Sequence, residues 1–214
     1  MIAMRFHPLA PPPGMPVALC ALLHDDVARK WTHCLAQLPR QMQARALAMR
    51  DPGRSLAFVA GRLLEASAPR GTSHSLSHGR GVTVLATARE RVGVDIEQVG
   101  QWREPWPDAL QAAEIAILCD LPEPGRSLSF AAVWSAKEAF CKWAGGGNLA
   151  RQHDLAQAAF VSGSAGAWHR CHAGDCSVAV SIPVLMEARY ALAVAVRRTQ
   201  PDTLSPGESE KGPA

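Results

Sequence analysis

The chain has 214 residues, 48% of them hydrophobic and 19% charged, and a formal net charge of +3. That composition suits a globular protein with a substantial core and excludes a wholly disordered chain. No apolar run reaches the ~18 residues of a membrane-spanning helix, and the small basic excess does not describe a nucleic-acid-binding surface.

In chain order, strands are expected at 2–7 and 16–23. The second lies in an N-terminal stretch without a basic start or a small-residue cleavage site, so it reads as a strand and not as a secretion signal. Polar, helical sequence follows to about 49. Asp51-Pro52 then opens a helix over 54–67, where Leu56, Val59, Ala60, Leu63 and Leu64 recur at helical spacing. Arg54 and Arg62 would stand two turns apart on it, within about 80° of each other. "SHSLSHGRG" reads as a loop holding His74 and His78, and "GVTVLATA" (81–88) and "RVGVDIE" (91–97) as strands with a tight connection.

"QVGQWREPWPD" is an expected loop, and Pro107-Asp108 an expected start for a helix reaching Leu118. A long helix is predicted from Leu128 to Ala144, stopped by Gly145-Gly146-Gly147. Strands "AAFVSG", "AWHRCHAG", "CSVAVSIP" and "RYALAVAVRR" close the chain, and residues 199–214 form a predicted disordered tail. Each half has helix followed by strands, so the fold class is α+β, with an N-terminal half over 1–91 and a C-terminal half over 92–198.

Six scattered cysteines suit free thiols in a reducing cytoplasm. In "HRCHAGDC", His169, Cys171, His172 and Cys176 are all metal-ligand types. Their spacing matches no common zinc pattern, and the alternation favours a hairpin around Ala173-Gly174-Asp175.

The chemistry gathers in "VGVDIE" and "WSAKEAFCKW". Strand alternation puts Asp95 and Glu97 on one side about 7 Å apart, with Val94 and Ile96 toward the core. On the long helix, Glu138 and Lys142 are one turn apart, and Lys137 is about 100° round from Glu138. Taken alone, Glu138 and Lys142 are an ordinary exposed pair worth about 0.2–0.5 kcal/mol. If that helix crosses the strand end, three carboxylates and two ammonium groups converge. That donor set suits Mg²⁺, which takes a few carboxylates and keeps positions for water and phosphate oxygens.

The order of these stretches, with forty-two positions from Asp95 to Lys137, resembles the signature of the 4'-phosphopantetheinyl transferase superfamily. "SLSHG" and "FVAGRLL" resemble additional motifs of its longer, surfactin- and enterobactin-synthetase type. Ser75 stands where that type often has asparagine, and the stretch from Leu64 to Ser77 is short. The resemblance implies two similar α+β halves related by a pseudo-twofold, with coenzyme A in the cleft between them. It implies Mg²⁺-dependent transfer of 4'-phosphopantetheine to a serine of an apo acyl or peptidyl carrier protein, releasing 3',5'-ADP. It also implies Asp95, Glu97 and Glu138 as metal ligands, Glu138 as base, and Lys137, Lys142 and His78 on the pyrophosphate. Arg62, and less closely Arg54, are candidates for the 3'-phosphate. A cytoplasmic monomer without nucleic-acid or membrane partners is expected. The rivals are a coenzyme A or carrier-protein binding module without turnover, and a Mg²⁺-dependent nuclease.

Overall fold

The computed structural model describes residues 4–100, 110–146, 155, 158 and 167–198. Strands β1 (His7–Leu9) and β2 (Val17–Leu23) lead into three short helices: α1 (His24–Arg29), α2 (Trp31–Ala36) and α3 (Arg40–Leu47). Helix α4 (Pro52–Ser67) begins at the predicted cap, where Asp51 Oδ1 accepts from the amides of Gly53 and Arg54 at 2.8 and 3.2 Å. Strands β3 (Ser73–Gly79) and β4 (Val82–Ala88) complete an antiparallel sheet of order β1-β2-β4-β3.

The second half opens with β5 (Val92–Gln98), followed by α5 (Ala112–Asp120) and α6 (Gly125–Ala144). Strands β6 (Trp168–Ala173), β7 (Cys176–Ser181), β8 (Val184–Leu185) and β9 (Ala188–Arg197) finish it. Its sheet runs β5-β9-β7-β6, with β8 on β9. The protein is therefore α+β, with two antiparallel sheets.

Alternation explains how the sheets stack. Val82, Val84 and Ala86 of β4 share a core with Val92, Val94 and Ile96 of β5 and with Leu192 and Val194 of β9, so the two sheets meet face to face. On the outer face of the first sheet, Leu22 and Leu85 pack against Val59, Ala60, Leu63 and Leu64 of α4. On the outer face of the second, Ala191, Ala193 and Ala195 take Phe130, Val133, Ala136 and Phe140 of α6. The order is helix, sheet, sheet, helix, and no described helix is long and apolar enough to cross a membrane.

Several expectations shift. The "SHSLSHG" loop is strand β3. Its serines face the second sheet and its histidines face α4, so neither face shows the apolar alternation by which strands are read. The connection from β4 to β5 is short, but it passes from one sheet to the other and makes no hairpin. The expected strand at 2–7 is β1 at His7–Leu9, and α6 starts at Gly125, three residues early. The cysteine-histidine stretch is the β6–β7 hairpin, with Cys171 and Cys176 buried and their thiols pushed up to about 12 by burial. "AAFVSG", the start expected at Pro107 and the tail from 199 fall largely or wholly outside the described residues.

Candidate active site

Two edge strands meet where the chemistry lies. β5 pairs with β9 along one edge only, and the other edge faces β3. Ser75 and Ser77 of β3 fill the missing ladder: their Oγ atoms accept from the amides of Val94 and Ile96 at 3.1 and 3.2 Å. Ser77 also donates its hydroxyl hydrogen to Asp95 Oδ1 at 2.7 Å. These serines tie the two halves together beside Asp95. The sequence reading missed that role, although their i, i+2 spacing places both on one face.

Helix α6 crosses the other side of β5. Gly93 makes this approach possible, because a Cβ there would lie 2.0 Å from the carbonyl oxygen of Ala139. The helix then presents Trp134, Glu138 and Lys142 in one stripe at i, i+4 and i+8. Lys142 Nζ donates to Asp95 Oδ1 at 2.7 Å and to the Val94 carbonyl at 3.1 Å. Trp134 hydrogen-bonds to the Glu97 carboxylate, a second contact that sequence reasoning missed.

The carboxylates strain against one another. Burial, then the Asp95 charge, push the Glu97 carboxyl up to about 7, with Glu138 adding to the rise and Lys142 and Trp134 opposing it. Glu138 is raised for the same leading reasons, burial and Asp95. Asp95 Oδ2 is buried and has no hydrogen-bond partner among the described residues. An orphaned carboxylate oxygen beside two acids held above their ordinary pKa is an environment short of one positive charge. Asp95, Glu97 and Glu138 are of the oxygen-ligand type a hard divalent cation takes and are coupled by charge. As they are placed, no three His, Cys, Asp or Glu side chains among the described residues stand close enough together to hold a metal ion.

His78 stands on the other face of β3, exposed, with its Nδ1 3.0 Å from Thr83 Oγ1. The protein packed behind it, then the charges of Lys142 and Arg62, lower its pKa. Its ring lies against α4 at Gly61, where a Cβ would come within 3.0 Å of Cε1. A side chain at Gly61 would therefore press on the ring. Arg62 reaches this region electrostatically while its guanidinium is forked onto Glu65 at 2.9 and 2.7 Å.

Two predicted residues are not brought to the cluster. Arg54 is 85% exposed in the first turn of α4, 3.9 Å from Asp51. Lys137 is the larger correction. Its ammonium is 1% exposed and bonds to Glu114 of α5 at 2.9 Å, with Glu114 at 0%. Glu114 also accepts from the amides of Gln111 at 2.7 Å and Leu155 at 2.9 Å. A salt bridge this deep needs full hydrogen bonding to offset the loss of hydration, and Glu114 supplies it. Lys137 thus joins α6 to α5 inside the second half. Lys137→Met should destabilise the protein by about 3–5 kcal/mol, since it strands a buried carboxylate. Chemical denaturation checks this, and Lys137→Met with Glu114→Leu together should recover only part of the loss, because the amides of Gln111 and Leu155 then lose their acceptor.

Residues 91–195 match the model of the 4'-phosphopantetheinyl transferase superfamily. The chain carries a domain of that superfamily. The match starts one residue before β5 and ends within β9, so it holds Asp95, Glu97, Glu138 and Lys142. His78, Arg62 and the serines of β3 lie outside it. No curated protein matches the chain significantly.

Proposed function

We propose that the chain is a 4'-phosphopantetheinyl transferase of the longer, surfactin- and enterobactin-synthetase type, acting on coenzyme A and an apo acyl or peptidyl carrier protein. The observation that carries this reading is the Asp95 carboxylate. One of its oxygens is held by Lys142 and Ser77, the other is buried without a hydrogen-bond partner among the described residues, and its charge helps to raise both Glu97 and Glu138.

Asp95, Glu97 and Glu138 would hold Mg²⁺, which when bound neutralises part of the pyrophosphate charge of coenzyme A. Lys142, fixed by two hydrogen bonds at the mouth of β5, supplies a cation that needs no reorganisation when charge develops on the leaving phosphate. His78 binds the same pyrophosphate from the β3 side. Glu138, its carboxyl raised by burial and by Asp95, is a better proton acceptor than an ordinary carboxylate and takes the proton of the carrier serine. The serine oxygen bonds to the phosphorus next to pantetheine as the bond to 3',5'-ADP breaks. Arg62 stands at the edge, where leaving Glu65 would free its fork for the 3'-phosphate.

Both sides of the site come from one chain, which supports a monomer, and the six free cysteines suit a reducing cytoplasm. The test incubates the protein with coenzyme A, Mg²⁺ and an apo carrier protein and reads the carrier by mass spectrometry. A metal-dependent phosphopantetheine adduct is expected, and Lys142→Ala should slow its formation by roughly 10²-fold or more. Binding without an adduct would mean a non-catalytic module, and cleavage of DNA by the same preparation would mean a nuclease. Either result overturns the proposal.

A further inference from the structure

Thr83 stands between two histidines. Its Oγ1 lies 3.0 Å from Nδ1 of His78 and 2.9 Å from Nε2 of His24. Thr83 is fully buried and His24 is 7% exposed. His24 opens α1, with its backbone amide fixed to the Gly81 carbonyl at 2.8 Å. The three residues come from α1, β4 and β3, and they form a hydrogen-bonded line from the interior of the first half to the exposed ring of His78.

Such a line has a direction, because a hydroxyl owns one hydrogen. In one direction His24 Nε2–H donates to Thr83 Oγ1, and the hydroxyl hydrogen goes to His78 Nδ1. His78 must then carry its own hydrogen on Nε2, at the far edge of the ring. In the other direction His78 gives its Nδ1 hydrogen to Thr83, and a neutral ring is left with a lone pair on Nε2. A lone pair repels a phosphate oxygen, whereas an N–H binds it.

We propose that His24 and Thr83 are positioning residues for the anionic substrate: acting in the first direction, they hold His78 as the neutral tautomer that offers Nε2–H to a pyrophosphate oxygen. This rests on the reading of His78 as a pyrophosphate ligand and adds two residues that act through it. The surroundings agree. Burial, and then the proximity of His78, lower the His24 pKa to about 4, so His24 is neutral and keeps one N–H and one lone pair. The groups facing His78 are Lys142 from α6 and Arg62 from α4, two cations already beside the phosphate position. The ring is needed there as an oriented donor more than as a third charge. The ring edge carrying Cε1 and Nε2 lies beside α4 at Gly61, where an added Cβ would be 3.0 and 3.7 Å from those two atoms.

The experiment uses the full chain with coenzyme A and Mg²⁺, without a carrier protein, so that nothing turns over. Calorimetry measures affinity, and ¹⁵N-resolved imidazole NMR reads the tautomer of His78. With coenzyme A bound, His78 should be the Nε2–H form. Thr83→Val and His24→Phe should each weaken binding about three- to tenfold and leave His78 a mixture of tautomers. Thr83→Ser, which keeps the hydroxyl, should restore both affinity and tautomer. A bound wild-type protein whose His78 carries its hydrogen on Nδ1, or on both nitrogens, overturns the proposal even if the valine variant does not fold. So does a folded Thr83→Val with the wild-type tautomer. If His78→Ala binds coenzyme A as well as wild type, the reading of His78 itself fails, and the tautomer measurement still reports separately on His24 and Thr83.

Discussion

Asp95→Asn is expected to reduce phosphopantetheine transfer by roughly 10³-fold or more while leaving the protein folded. Asparagine keeps the shape and can still offer an oxygen to Ser77 and Lys142, the two donors now on Oδ1. What it loses is the charge, and the buried Oδ2 position would carry an amide whose hydrogens point where a cation belongs. The same substitution should abolish stabilisation by Mg²⁺, and that effect has a predictable pH dependence. Glu97 has a carboxyl raised from 4.5 to about 7, so between those values the folded, metal-free protein binds a proton that the unfolded chain has released. Its stability therefore falls as pH rises through that window. A metal needs the deprotonated carboxylates, so its stabilising effect grows over the same range. Thermal melts of the wild type should show a Mg²⁺-induced rise in Tm at about pH 8 that shrinks toward about pH 5, and Asp95→Asn should show none at either. A wild-type rate from Asp95→Asn, or a Mg²⁺ effect independent of pH, would contradict the metal assignment.

How much of this was legible depended on whether the signal was local. The strand "VGVDIE" was readable because its alternate residues fall on two unlike faces, Val94 and Ile96 into the core between the sheets and Asp95 and Glu97 toward α6. The helix face of Glu138 and Lys142 was equally plain from the turn spacing, and Trp134 extends the same stripe one turn back. Lys137 was misplaced for a physical reason. Its neighbour in sequence faces the site, but its own direction is decided by Glu114, which arrives from another helix and leaves no mark near "SAKEAF". β3 was hidden because its residues satisfy partners and not a core: serines on the amides of β5, histidines against α4. The contact between His24 and Thr83 joins positions fifty-nine residues apart, so no window along the chain could contain it.

Gly93→Ala should have the largest effect of any glycine-to-alanine change among the described residues. Glycine here is not needed for its backbone freedom but for its missing side chain, since α6 lies directly on β5. An added Cβ would fall 2.0 Å from the Ala139 carbonyl oxygen, 2.7 Å from the Trp143 amide nitrogen and 3.0 Å from the Ala139 carbonyl carbon. All three are backbone atoms of one helix, so no rotamer change can clear them, and the whole of α6 must lift from the strand. Overpacking of this kind costs on the order of 3 kcal/mol, and here it opposes one of the largest packed surfaces of the second half. The functional loss should exceed the loss of folded protein, because the clash falls on Ala139 and Trp143, the residues that directly follow Glu138 and Lys142. Moving those side chains by about 1 Å from Asp95 is enough to reduce turnover by about 10²-fold. The comparison that isolates this is transfer rate per folded molecule, with the folded fraction taken from denaturant unfolding at the assay temperature. A substantial loss of stability with an unchanged rate per folded molecule would mean that α6 returns to its place around the extra methyl group. An unchanged stability would mean that α6 does not lie on β5 at Gly93 at all.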